Sequence, residues 1–156
     1  MMGKFLVSLI IGASLFMGAA IYYLQVYAYY EELDPDTVDL RLISVVSGQP
    51  EPFLIDDVQA IDANSSPLRF RACFTTPLSQ ATLTETFAIY DEAEPLIAPG
   101  WFDCFDAVEV GEALEAGQAI AYLARADIRD GVDRVIAVFG DGRAFAWHQL
   151  NDKYKD

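Results

Sequence analysis

The residue types best suited to chemistry are few in this 156-residue chain and stand far apart. Cys73 and Cys104 are about 30 positions apart, not in the C-x-x-C spacing of a redox motif or a zinc ribbon, so a structural disulfide is the expectation. His148 is the only histidine. One imidazole cannot make the usual zinc site, and no serine can be placed beside it from sequence for a nucleophile pair, so a packing or surface role is expected. Asp34, Asp36 and Asp39 begin like a calcium loop, but no glycine follows at the required position and Val45 stands where a bidentate Glu belongs. Asp127, Asp130, Gly131 and Asp133 also have the wrong spacing. All three methionines fall within residues 1–17, which removes a Met-rich copper carrier, and Gly140-Asp141-Gly142 reads as a hairpin tip and not a phosphate cradle. No catalytic, cofactor-binding or metal residue is assigned, and no cofactor is called for. An interaction role is favoured over an enzyme.

The elements that must carry these residues begin with a membrane anchor. Phe5–Leu24 is a run of twenty residues without a charge, and apolar and aromatic residues continue through Tyr30. A helix rises about 1.5 Å per residue, so roughly 20 apolar residues cross the ~30 Å core of a bilayer. Tyr22, Tyr23, Tyr27, Tyr29 and Tyr30 crowd the far end, where a ring with a polar hydroxyl suits the headgroup layer. A cleaved signal peptide ending at Gly18-Ala19-Ala20 is the alternative. The apolar run passes that site without a break, which favours an uncleaved anchor. Lys4 and the amino terminus favour a cytoplasmic N-terminus, although Arg41 counts against it. Ser8, Gly12 and Ala19 share one helical face on which a second helix could approach closely.

All 24 Asp and Glu lie beyond residue 30, against nine Lys and Arg there, so the remainder carries about −15. A field of that sign repels nucleic acid and anionic headgroups and attracts basic proteins. Nucleic-acid binding is excluded. Acidity for solubility alone is the bland alternative to recognition.

The expected organisation is an anchor over 1–30, an acidic linker over 31–39 and one extracytoplasmic domain over 40–156. Leu40–Val46 reads as a strand, and Phe53–Ile61 as a second one broken by Asp56-Asp57. Leu68–Phe74 alternates, with Leu68, Phe70, Ala72 and Phe74 on one face and Arg69, Arg71 and Cys73 on the other, which predicts a half-buried strand. A disulfide from Cys73 would then pin a covering segment onto the second side of the sheet. Pro77–Tyr90 reads as a helical turn followed by extended chain. Val108–Ala116 reads as a helix closed by Gly117, and Ala119–Ile128 as a strand. Arg134–Phe139 and Ala144–Gln149 flank the Asp141-Gly142 pair as a hairpin. The fold class is α+β: an N-terminal transmembrane helix, then a small antiparallel sheet of five or six strands with one or two short helices.

Three stretches carry a resemblance: Tyr22-Tyr23-Leu24-Gln25-Val26-Tyr27, Pro99 to Ala107 with its Trp101-Phe102-Asp103-Cys104-Phe105 centre, and Asp141-Gly142-Arg143 leading to Trp147-His148-Gln149-Leu150. In these the chain resembles a family of small single-pass membrane proteins of alphaproteobacteria whose function is unknown. The resemblance implies location and architecture and adds no mechanism.

Together these readings predict a domain held outside the bacterial inner membrane, in the periplasm, where two cysteines pair. The expected role is that of an accessory or assembly protein of an inner-membrane complex, in contact with another membrane protein or a basic extracytoplasmic protein. Asp91, Glu92 and Glu94, beside the aromatic Trp101 and Phe102, are the expected partner contacts. A ligand-binding sensor or enzyme using a pocket near Trp101 is the competing class, and an acidic docking module for basic proteins is a third.

Overall fold

A computed structural model of the chain describes residues 1–155. Met2–Tyr23 is one α-helix (α1), continued by a single π-helical turn over Leu24–Ala28. The 27-residue helix Met2–Ala28, whose most apolar 18-residue stretch has a mean hydropathy of 2.1, is long and apolar enough to cross a membrane. No residue of α1 is buried by the rest of the protein. The uniform apolarity explains this, since a helix hydrophobic on every side has no stripe to turn toward a core.

The remainder is an antiparallel sheet of six strands in the order β1-β4-β5-β8-β7-β6, with a second sheet of two, β2-β3. The strands are β1 (Glu31–Leu33), β2 (Arg41–Ile43), β3 (Pro50–Pro52), β4 (Asp56–Asp62), β5 (Arg71–Thr75), β6 (Ala119–Arg129), β7 (Val132–Phe139) and β8 (Arg143–Leu150). Two short helices, α2 (Gln80–Thr86) and α3 (Ala107–Glu115), complete the α+β fold. Each begins where sequence chemistry supplies a cap. Ser79 Oγ accepts from the Thr82 amide, and Asp106 Oδ1 accepts from Val108 and Glu109, satisfying amides that a helix start leaves free. α3 ends at Gly117, whose φ of +70° favours glycine.

Alternation along the central strands builds two cores, one on each face of the large sheet. Ala72, Phe74, Tyr122, Ile136, Val138, Ala144 and Ala146 of the sheet, with Phe70 just before β5, pack with Leu40, Leu42, Leu83 and Phe87. Cys73, Val135, Ala137, Phe145 and Trp147 face Phe102, Phe105, Val110 and Ala113. The first face is thus covered by the β2 region and α2, and the second by the 102–105 segment and α3. The Asp141-Gly142 hairpin aligns Val138 with Ala144 and Val135 with Trp147, which sets the alternation for both cores at once.

Several local expectations need correction. Glu31–Leu33, within the stretch expected to be a linker, pairs with β4, Glu31 opposite Asp62 and Leu33 opposite Ala60. The sheet's first strand therefore begins three residues after the helix ends. The strands expected over 40–46 and 53–61 are shorter or displaced. Asp56-Asp57 opens β4 and does not break it, and the irregularity there is a bulge in which Asp57 takes a left-handed φ of 55°. The strand expected to be half-buried is buried on both faces, Arg71 and Cys73 included, because α3 and the 102–105 segment cover its second side.

Candidate functional site at the end of the apolar helix

The last carbonyls of any helix lack intrahelical partners, and here the domain supplies two of them. The Trp101 indole Nε1 donates to the Val26 carbonyl at 2.6 Å, and Arg69 Nη1 donates to the Gln25 carbonyl at 2.9 Å. Tyr30 sits between these two braces. Its ring meets Trp101 edge-on at 5.9 Å, and the Arg69 guanidinium lies over it at 5.4 Å. Trp101 belongs to the segment that Cys104 ties to Cys73 of β5, with the two Cα atoms 6.2 Å apart. The helix end is thereby linked to the centre of the sheet.

This arrangement changes the role of the expected contact residues. Phe102 is largely buried in the second core, with only a small part of its ring reaching the depression beside Trp101. Trp101 is half-buried and committed to the helix. Asp91, Glu92 and Glu94 are exposed, in a loop tied to β8 by Gln149: its Nε2 donates to the Glu92 carbonyl and its Oε1 accepts from the Glu94 amide, each at 2.8 Å. Lys155 Nζ lies 3.7 Å from both the Glu92 and Glu94 carboxylates and offsets part of their charge. Ser8, Gly12 and Ala19 are exposed along α1. A depression of about 340 Å³ beside Trp101, reached by Glu32, Gln59 and Asp103, is half the size of a second cleft that sequence reasoning missed.

That second cleft, about 660 Å³, opens at the ends of β1, β4, β7 and β8 and is bordered by Glu31, Asp62, Asn64, Arg129, Arg134 and His148. Arg134 is its fixed point. Its guanidinium stacks over the Phe70 ring at 4.1 Å, Nη1 donates to the Asp39 carbonyl at 2.9 Å, and Nε donates to His148 Nε2 at 3.0 Å. Because Nε2 accepts that bond, the His148 proton sits on Nδ1, which donates to the Pro67 carbonyl at 2.7 Å. The imidazole stacks on Phe70 and is held neutral. Burial first, and then the positive charge of Arg134, push its pKa down to about 4. Burial likewise lowers Arg134 to about 10 and raises the Asp62 carboxyl, the latter opposed by its hydrogen bond from the Ala63 amide and by the guanidinium of Arg134.

Arg71, unlike the half-buried Arg134, is fully buried, and it is satisfied. It donates to the Leu68, Phe70, Leu96 and Ile97 carbonyls at 2.6–3.0 Å, pinning the 96–97 loop to β5. Its role is structural. The alternating Arg69–Arg71 pattern was visible in sequence. What signals the cleft is weaker: a lone histidine opposite an arginine in a hairpin, His148 with Arg134.

Residues 40–156 match the model described as a family of unknown function (DUF6446). No curated protein and no solved structure matches the chain.

Proposed function

The chain belongs to this family of unknown function, and we propose that it is a single-pass inner-membrane protein whose domain stands in the periplasm as a rigidly mounted accessory or assembly subunit of a membrane complex. The observation that carries this reading is the double brace at the helix end, Trp101 to the Val26 carbonyl and Arg69 to the Gln25 carbonyl. A domain that must search for a distant substrate gains from a flexible tether. One that must present a fixed face beside its own helix gains from a stiff mount, because ordering the junction in advance removes part of the entropy cost of association. The fully exposed apolar helix supports a lateral contact in the bilayer, with Ser8, Gly12 and Ala19 as its closest-approach face. The Cys73–Cys104 bond supports the periplasmic side, where disulfides persist, and Lys4 supports a cytoplasmic N-terminus.

Purification from native membranes in mild detergent tests the reading. A discrete complex containing at least one other membrane protein is expected, weakened when Gly12→Leu enlarges the helix face. Recovery of a solitary monomer across several mild detergents would overturn it.

A further inference from the structure

The Arg134 cleft lies close to where the chain leaves the apolar helix. Glu31, on its rim, is three residues beyond Ala28, at most about 10 Å away even if that chain were extended. The 27-residue helix is about 40 Å long, close to the 40–45 Å of a bilayer with its headgroups. A helix filling that thickness brings the rim of the cleft to the headgroup layer. This placement rests on reading the helix as membrane-spanning.

Two unlike charges border the cleft, within electrostatic reach of each other but not in contact as an ion pair. Neither Arg134 nor Asp62 belongs to any ion pair among the described residues. Arg134 is held from three directions by Phe70, Asp39 and His148, yet its Nη2 has no hydrogen bond to protein among the described residues. Arg129 adds a second guanidinium, whose one hydrogen bond is to the Ile128 carbonyl beside it at 3.3 Å. Asp62 accepts only from the Ala63 amide among those residues. Keeping a partly desolvated cation and carboxylate apart costs stability, whereas a ligand bearing both complementary charges recovers it. The guanidinium fork suits a phosphate. A carboxylate pair, Asp62 with Glu31, suits an ammonium that can donate hydrogen bonds, which a quaternary ammonium cannot. A purely anionic ligand would meet those carboxylates and the net charge of −14, while a zwitterion carries no such penalty.

We propose that this cleft binds a phosphate–primary amine zwitterion of the phosphoethanolamine class, presented as the headgroup of a membrane lipid. The full-length protein, purified in detergent, is offered equal amounts of phosphatidylethanolamine and phosphatidylcholine with the same acyl chains, and retained lipid is counted by native mass spectrometry. The expected result is at least a fivefold preference for the ethanolamine lipid, falling to near parity in Arg134→Gln and in Asp62→Asn. Asp62→Asn retains an oxygen acceptor for the Ala63 amide, so it carries the test even if Arg134→Gln does not fold. Equal retention of the two lipids by the unaltered protein, or a preference that survives both substitutions, overturns the proposal. Soluble glycerophosphoethanolamine separates the sources. If it displaces the lipid at submillimolar concentration, the chemistry stands with a free zwitterion as ligand; if it does not, the preference belongs to the lipid. Neither failure affects co-purification of a partner, so this inference and the accessory-subunit reading fail separately.

Discussion

The Trp101 indole N–H and the Val26 carbonyl, 75 residues apart in sequence, meet at 2.6 Å. Trp101 lies three positions before Cys104, and Cys104 is bonded to Cys73 in the middle of the sheet. A single path therefore runs from β5 through the disulfide and the indole to the last turns of the apolar helix. Arg69, two residues before the start of β5, provides the second path.

Trp101→Phe keeps an aromatic ring against Tyr30 and removes the donor. It should cost about 1 kcal/mol, the usual net contribution of one hydrogen bond, and loosen the junction. Thermal unfolding in detergent reads the first effect. Spin labels on the helix end and on the domain read the second, as a broader distance distribution. An unchanged distribution in Trp101→Phe combined with Arg69→Gln would show that the braces do not hold the domain.

Reduction should weaken the domain markedly. Closing a loop across 31 positions contributes about 3–4 kcal/mol on the chain-entropy model. Mass spectrometry of unreduced protein should find the Cys73 and Cys104 peptides joined, and the melting temperature should fall when dithiothreitol is present. Two freely alkylated thiols in native material would remove this support for a periplasmic domain.

His148 should make the domain acid-sensitive. Its folded pKa, about 4, lies below the ordinary 6.5, so the unfolded chain binds a proton that the folded protein refuses. The positive charges of Arg134, Arg71 and Arg129 reinforce that refusal. The contribution is present in full above pH 6.5 and is lost as pH falls from 6.5 to 4, on the order of 3 kcal/mol in total. Denaturant midpoints measured at pH 7, 5.5 and 4.5 should fall accordingly, and the slope should flatten in His148→Gln. An equal slope in that variant would place the acid sensitivity elsewhere.

Gly142→Ala should be the most damaging alanine substitution in the hairpin turn Gly140-Asp141-Gly142. The position has a φ of +92°, and an added Cβ would stand 2.7 Å from the Thr76 carbonyl oxygen, a backbone atom held in place because the Thr76 amide donates to the Gly142 carbonyl. Strain and clash together should cost about 2–3 kcal/mol. Circular-dichroism melting of Gly142→Ala beside Gly100→Ala, where nothing crowds the added carbon, checks it. Equal melting temperatures would refute the steric account.

The sequence alone determined the elements whose signals are local. Twenty uncharged residues from Phe5 must form an apolar helix, Asp141-Gly142 must turn a hairpin, Gly117 closes the short helix that begins near Val108, and strict alternation in Leu68–Phe74 sorts its side chains onto two faces. Periodicity reports which face a residue lies on, but not whether that face is covered. Only the tertiary structure decided that both faces of β5 are buried. Arg71 and Cys73, read as the outer side, became interior once the 102–105 segment and α3 closed over them. The same holds for His148 and Gln149: His148 Nδ1 and the Gln149 amide group find backbone carbonyl and amide partners 55 to 81 positions away. Glu31–Leu33 has no strand signal of its own, and its backbone is ordered because β4 offers it an open edge. The cleft between Arg134 and Asp62 joins residues 72 positions apart. A site of that kind depends on strand order and register, which arise from packing the whole sheet and from no single stretch of chain.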